Sequence, residues 1–243
     1  MERRFAHPDD IRISLAGGFE LTRHGRIVDV AEPGQRVLAY LALNDRAVPR
    51  GELANVLWTD ASPEHAAGSL RSALWRIRQL GDDIVASTMR ALRLAADVRV
   101  DIREGVEWAR RVADESHEAR REDAAVASDG GDILPDWTEN WVRVERERLR
   151  QLRLHALETL SGRLVAASRH GDALEVALIA LRSAPLRESA HRAVIGVHLA
   201  EGNTCEALRH YETYRDLLRT SLGLEPSHLL RRMVESEATS AVD

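Results

Sequence analysis

The sequence predicts a mainly α protein in two parts: an N-terminal winged helix-turn-helix, α with small β-sheets, over residues 1–100, and an all-α domain of tetratricopeptide-like helical repeats over residues 101–243. Three observations carry this prediction. The first hundred residues run as short alternating strands, three amphipathic helices and a hairpin. Beyond Asp101 the apolar periodicity is helical almost throughout. Aromatic residues make up only 4% of the 243-residue chain, so alanine, leucine and valine do most of the packing, which favours helices over a sandwich of strands.

In order, "IRISLAGGFEL" and "RIVDV" alternate apolar and polar residues around the turn "TRHG", as antiparallel strands do. After Pro33-Gly34, "QRVLAYLAL" spaces Val37, Leu38, Leu41 and Leu43 as the inner side of a short helix. "AVPRGELANVLW" is a second, with Leu53, Val56 and Leu57 inside and Trp58 closing it. Ser62-Pro63-Glu64 starts the third: a serine N-cap, a proline at the first helical position and an acid in the first turn. That helix is expected to run to Leu80 and stop at Gly81. "DIVAST" and "RALRLAADVRVDI" then form a hairpin with its tip near Thr88 to Arg90.

In the second part, "VEWARRVADE" is helical, and the acidic, Ala-rich stretch Glu115–Asp132 closes on the loop "SDGGD". The run "WTENWVRVERERLRQLRLHALETLSGRLVAASRHG" places Trp137, Trp141, Val144, Leu149, Leu152, Leu157, Leu160 and Leu164 mostly on one face. Its length predicts a bend near Ser161 or Gly162 and an end at Gly171. A repeat follows: Ala173-Leu174 matches Ala207-Leu208 at the 34-residue tetratricopeptide period, and Ala177 and Ala180 match Tyr211 and Tyr214. Small alanines let the helices of a hairpin approach, and Pro185 ends the first helix. Two repeats fall short of the ~3 that stabilise a solenoid, so the long preceding helix is expected to cap them.

Charge is uneven. The net charge of −5 divides into +1 over residues 1–100, which hold 14 Arg against 13 Asp and Glu, and −6 over residues 101–243, which hold 20 Arg against 26 acids. Only the first part is a candidate for meeting phosphates. All 34 basic residues are arginine, and with so much alanine this codon usage points to a high-GC genome such as an actinobacterium's. No window reaches the ~18 apolar residues of a membrane span, and "MERRFAHPDD" lacks the apolar core of a signal peptide. The expectation is a cytoplasmic protein with no membrane partner.

Catalysis and metal binding find no support. Cys205 stands alone and is expected to be a small buried hydrophobe in a helix. His191 and His198, two helical turns apart, are too far separated to share a metal, and His65, His155, His170 and His210 each sit alone as structural histidines. "SDGGD" has neither the strand before it nor the lysine after it that a phosphate loop needs. No nucleophile elbow occurs. The protein is therefore expected to be no enzyme and to hold no catalytic residues, cofactor or metal.

"SLRSALWRIRQLG" after "GELANVLW", followed by "LPDWTENWVRVERERLRQLRLHALETL", "APLRESAHRAVIGVHLAEGNTCEALRHYETYRDLLR" and "LGLEPS", resembles the Streptomyces antibiotic regulatory proteins, in which an OmpR-type winged helix precedes a bacterial transcriptional activator domain. The resemblance runs from about Ile11 to about Met233 and is more specific in the second domain. It implies a transcriptional activator, associated with the nucleoid, that binds double-stranded promoter DNA and contacts the RNA polymerase holoenzyme, its sigma factor and core subunits. It further implies a homodimer on tandem DNA repeats and control of secondary-metabolite genes. Ending at Asp243, the chain is expected to carry no ATPase or sensor module. With no receiver domain in the sequence, phosphorylation control through the usual receiver aspartate is not expected.

The residues of the third helix can be read beside that implication. With Ala66, Leu70, Ala73, Leu74 and Ile77 turned inward, Arg71, Ser72, Trp75, Arg76 and Gln79 are the exposed set and Arg78 flanks it. Arginine can bridge guanine O6 and N7, glutamine can pair with adenine, serine can serve base or phosphate, and the indole N–H of Trp75 can donate to a phosphate. Arg90 and Arg93, in or beside the wing, can enter a minor groove or hold phosphate. Gln35 and Arg36 open the first helix, whose N–H groups could also meet phosphate. The alternative is that Trp75 packs internally and the arginines form a solvated face paired to Glu64 and Asp82. A helical-repeat adaptor whose winged helix mediates protein contacts remains the competing function.

Overall fold

The computed structural model describes residues 11–81, 84–114, 123 and 131–240, with the side chains of 236–240 excepted. Asp82 and most of the acidic stretch, with the first three residues of its "SDGGD" loop, lie outside the described residues. The chain divides into two units, one reaching Glu104 and taking in Gly131–Glu147, the other running from Gly105 and resuming at Arg148.

The first unit opens with an antiparallel meander of β1 (Ile11–Ser14), β2 (Glu20–Arg23) and β3 (Arg26–Ile27). The two-residue loop between β2 and β3 needs positive φ twice, and His24 and Gly25 supply φ of 50° and 72°. The first helix, α1 (Glu32–Leu43), starts earlier than Pro33-Gly34 suggested, because proline in a first turn forfeits no helical hydrogen bond. Gly34 is needed for packing: a Cβ there would lie 3.0 Å from Val30 Cγ1 and 3.5 Å from Ile77 Cγ1.

Next come β4 (Val48–Pro49), α2 (Arg50–Leu57), α3 (Pro63–Leu80), β5 (Val85–Ser87), β6 (Ala91–Leu94) and β7 (Val98–Val100). The run read as one hairpin strand breaks after Leu94, where Val98 N donates to Ala95 O at 3.1 Å. Its first half, β6, pairs with β5 and β4; its second half, β7, leaves for the other sheet and lies parallel to β1 in the order β3-β2-β1-β7. Asp101 follows at once, and its Oδ2 accepts from Leu15 N at 2.9 Å and Ala16 N at 3.0 Å.

Residues 131–147 return to this unit. Leu134 N donates to Leu15 O at 2.9 Å and Gly17 N to Asp132 O at 2.8 Å, which prolongs the edge beyond β1. An aromatic ladder then runs from Phe19 to Trp137, Trp141 and Tyr40, with successive centroid separations of 6.4, 6.1 and 5.2 Å. Arg146 locks the turn by donating to Ile133 O at 2.8 Å and Trp137 O at 3.2 Å. Burial, then the neighbouring Glu52 carboxylate, raises the Tyr40 phenol above its ordinary pKa.

Beyond β7 the elements described in full are α4 (Asp101–Ala113), α5 (Asn140–Ala166), α6 (His170–Ser183), α7 (Glu188–Ala200), α8 (Thr204–Leu222) and α9 (His228–Ser240). The fold is thus mainly α, a winged helix-turn-helix followed by tetratricopeptide-like hairpins. Several local expectations are corrected. The long run neither ends at Gly171 nor breaks at Ser161: α5 continues to Ala166, the turn falls at Ser168 with φ 57°, and Gly171 lies inside α6. Ser161 is buried because its hydroxyl donates to Ala173 O at 3.0 Å across the hairpin. Val144 is 57% exposed while Val142 is buried, and Trp137 precedes the helix. Cys205 is exposed, since Ala207, Tyr211, Tyr214 and Leu218 define the inner side of α8 and a residue two before Ala207 points away from it.

Of the repeat positions, Ala173, Ala177 and Ala180 on α6 and Ala207, Tyr211 and Tyr214 on α8 are interior, whereas Leu174 is half-buried and Leu208 exposed. Across α5 and α7, Arg187 Nε lies 2.6 Å from Glu158 Oε1 and its Nη1 donates to Gln151 at 2.7 Å.

His210 is not alone. His191, 4% exposed, has Nε2 at 2.8 Å from Pro185 O, and a carbonyl can only accept, so that nitrogen carries the hydrogen. Its Nδ1 is then the acceptor for His210 Nε2–H at 3.0 Å, and its ring stacks on Tyr214 at 4.0 Å. Burial first, then His191 and His198, push His210 down to about 4. Burial also lowers His191, against the opposing pull of the Pro185 carbonyl and Glu188. A histidine depressed in the folded state binds its proton more readily when unfolded. Its contribution to stability is therefore complete above pH ~6.5 and is lost as pH falls toward about 4. Since the His210 ring keeps some contact with water, a loss of about 1–2 kcal/mol is expected between pH 7 and 5. Urea midpoints measured at both pH values should show it in the parent and markedly less in His210→Gln; equal slopes would exclude His210 as the source.

Candidate nucleic-acid interface

Helix α3 forms as its start and spacing dictate. Ser62 Oγ accepts from His65 N at 3.4 Å as the N-cap, Pro63 opens the helix, and Ala66, Leu70, Ala73 and Ile77 are buried. Leu74, placed inside by its spacing, is only half-buried. With these turned in, two stripes remain at four- and three-residue steps. Arg71, Trp75 and Arg78 make one; Ser72, Arg76 and Gln79 make the other.

The first stripe faces the β5–β6 hairpin across a cleft of about 260 Å³, lined by Arg50, Arg71, Trp75, Arg78 and Ser87. Trp75 is 64% exposed, so the packed-inside alternative for its ring does not hold within this unit. On the other flank, an open groove of about 680 Å³ is lined by Trp58, His65, Gly68, Arg71, Ser72 and Arg76. Arg71 thus borders both. Gln79 is exposed and lines neither. Ser72 Oγ donates to Gly68 O at 3.1 Å, which leaves its oxygen as an acceptor.

At the hairpin, Arg90 sits in the tip and Arg93 on β6, both exposed. The tip is fixed: Thr88 N donates to Ala91 O at 2.9 Å and Ala91 N to Thr88 Oγ1 at 3.0 Å. Arg50 braces it from the start of α2, since its Nη2 donates to Ser87 Oγ at 2.6 Å, its Nε to Thr88 O at 3.1 Å and its backbone N to Arg90 O at 3.0 Å. Sequence reasoning missed Arg50. Its only local signal was a cation directly after Pro49, and the partner strand that brings it to the hairpin, β4, is two residues long.

The entrance to α1 is not available to phosphate. Gln35 N donates to Ala31 O at 3.0 Å, its Nε2 donates to Val30 O at 2.7 Å, and Arg36 is taken up by Leu57 O at 2.6 Å and Glu139 at 3.3 Å. By contrast Arg50, Arg71, Arg76, Arg78, Arg90 and Arg93 form no ion pair with a described carboxylate. The only described carboxylate on α3 or the hairpin is Glu64, whose Oε2 lies 3.2 Å from Ser62 Oγ. Six guanidiniums on α2, α3 and the hairpin without a described carboxylate partner make a local positive field that a chain of net charge −5 does not advertise. No group of three or more His, Cys, Asp or Glu able to hold a metal occurs among the described residues, and no described helix is long and apolar enough to cross a membrane.

Comparisons with known proteins agree with this architecture. Residues 96–236 match the family described as the bacterial transcriptional activator domain. The chain is 26% identical over 231 residues to regulatory protein AfsR of Streptomyces griseus, covering 91% of this chain and 24% of that protein. Against regulatory protein AfsR of Streptomyces coelicolor it is 26% identical over 246 residues, covering 95% and 25%. It spans about a quarter of the length of these curated relatives. Among solved structures it is similar in fold to Mycobacterium tuberculosis EmbR in complex with a low affinity phosphopeptide, at a TM-score of 0.76 and 21% identity, covering 95% of this chain and 65% of that one.

Proposed function

The chain belongs to the bacterial transcriptional activator domain family, a transcriptional regulator of the Streptomyces antibiotic regulatory protein type, and from that premise we propose that its first unit binds double-stranded promoter DNA. The observation that carries the proposal is the surface of α3 and its hairpin, with six arginines unpaired by any described carboxylate and an exposed Trp75 between them. Helix α3 enters the major groove. Arg71 and Arg76 reach base edges, Ser72 accepts from a base or lies against backbone, Gln79 reads adenine, and Trp75 lies along sugar with its N–H on a phosphate. Arg90 and Arg93 hold the backbone at the adjoining groove. The helical repeats, whose part of the chain carries net −6, repel DNA and serve protein partners. They hold two protomers side by side on tandem repeats and contact the RNA polymerase holoenzyme through its sigma factor and core subunits. In this reading the protein acts at the nucleoid, as a non-enzymatic activator of secondary-metabolite genes.

The test is binding of a fluorescent 30-base-pair duplex, selected from a random-sequence pool with the full chain, across a salt series. Affinity is expected to fall with log[salt] at a slope near −0.9 per phosphate neutralised. Arg90→Ala should weaken binding to all sequences alike and make that slope shallower by roughly 0.9. An unchanged slope with relaxed preference at a single base would instead make Arg90 a base reader. Folded protein without salt-sensitive binding would leave the adaptor reading.

A further inference from the structure

Met89 is 97% exposed, the most exposed of the large apolar side chains described, and it occupies the apex of the β5–β6 hairpin. A lone apolar residue on a surface is ordinary. This one is held in place: the tip closes through three Thr88–Ala91 hydrogen bonds, and Arg50 binds Ser87, Thr88 and the Arg90 carbonyl from behind. The side chain is therefore presented on a braced backbone.

Its surroundings state what it can meet. Residues 84–94 contain no acid, and Arg90, Arg93 and Arg50 ring the tip without a described carboxylate to pair with. An apolar point beside cations does not suit another apolar surface, because the Arg90 and Arg93 guanidiniums would be stripped of water there without described partners, Arg50 being already bonded to Ser87 and Thr88. It suits a polyanion with an apolar interior. The DNA minor groove has that build: phosphates along both rims and sugar C–H walls between them, narrow enough for an unbranched thioether.

We propose that Met89 enters the minor groove and packs on its sugar walls while Arg90 and Arg93 hold the flanking phosphates. The proposal rests on the DNA-binding reading and adds to it an apolar contact that reads groove width. Methionine, with three rotatable bonds and a polarisable sulfur, fits such a wall closely.

The experiment uses the full chain and the same selected duplex. Met89→Ala and the isosteric, polar Met89→Gln should each bind roughly three- to tenfold more weakly, as expected for lost apolar contact, with the salt slope unchanged. Met89→Leu should retain most of the affinity. In protein labelled with [methyl-¹³C]methionine, the Met89 signal, assigned through Met89→Leu, should shift on adding duplex. Binding of Met89→Ala and Met89→Gln within twofold of the parent overturns the inference while the DNA-binding reading stands. So does unchanged DNA affinity with impaired transcription in vitro, which would make Met89 a protein contact. A parent that shows no salt-sensitive binding overturns both.

Discussion

Replacing Arg71 and Arg76 together by alanine is expected to abolish sequence-specific binding while the melting temperature stays within a few degrees of the parent. Both side chains are exposed and neither bonds a described carboxylate, so the folded unit loses little with them. A bidentate arginine–guanine contact contributes ~1–3 kcal/mol of discrimination, so two such losses remove roughly 2–6 kcal/mol, or about thirty-fold to twenty-thousand-fold in the ratio of specific to non-specific affinity. Each single variant should relax preference at a different base, because Arg76 lies on the stripe with Ser72 and Gln79 while Arg71 turns toward the cleft it shares with Arg50 and Trp75. Binding profiles over every single-base change of the selected site would measure this. A double variant with the parent's profile would remove α3 from the role assigned to it.

The second large effect concerns stability. Trp141→Ala is expected to destabilise the first unit by about 3 kcal/mol, toward the lower end for a large aromatic deletion because the ring is only partly buried. Trp141 stands between Tyr40 and Trp137, edge-on to both, so its removal takes away the aromatic link between α1 and the returning segment and leaves the Arg36–Glu139 ion pair. Trp141→Phe should restore at least half, since a ring remains to meet Tyr40. Differential scanning calorimetry on the full chain would read the change as a low-temperature transition separating from the rest. A loss below ~1 kcal/mol would mean that the backbone bonds of Leu134 and Gly17, with Asp101, hold the segment without the ladder.

Helix α3 was legible end to end because its signals are local: Ser62 and Pro63 at the start, buried residues three and four apart, Gly81 after the last turn. The hairpin tip was legible for the same reason. What escaped was set by distant partners. Strands β4 and β7 are two and three residues long, too short to show a period, and exist because β6 and β1 lie beside them. Trp137 and Trp141 sit in a run whose later half is plainly helical, and periodicity assigned them to that face; their partners, Phe19 and Tyr40, are more than a hundred residues earlier. Of the candidate surface, the arginines on α3 and at the tip were named from pattern, whereas Arg50 required the pairing of β4 with β6 to bring it to Ser87 and Thr88.

The parallel pairing of β1 with β7 also sets an order of events during synthesis. β1, β2 and β3 lie within a few residues of one another and can form a meander as soon as they leave the ribosome, but β1 must then wait for β7 and for the Asp101 carboxylate, 86 residues downstream of Leu15. At roughly 5–20 residues per second that interval is about 4–17 s. For its duration the nascent chain presents an unpaired strand edge, with Ile11 and Ile13 not yet covered, beside an elongating helix pair. Slow codons placed after β7 would leave the edge sealed before the repeats emerge, whereas slow codons placed before it would lengthen the exposure and favour capture by a neighbouring nascent chain.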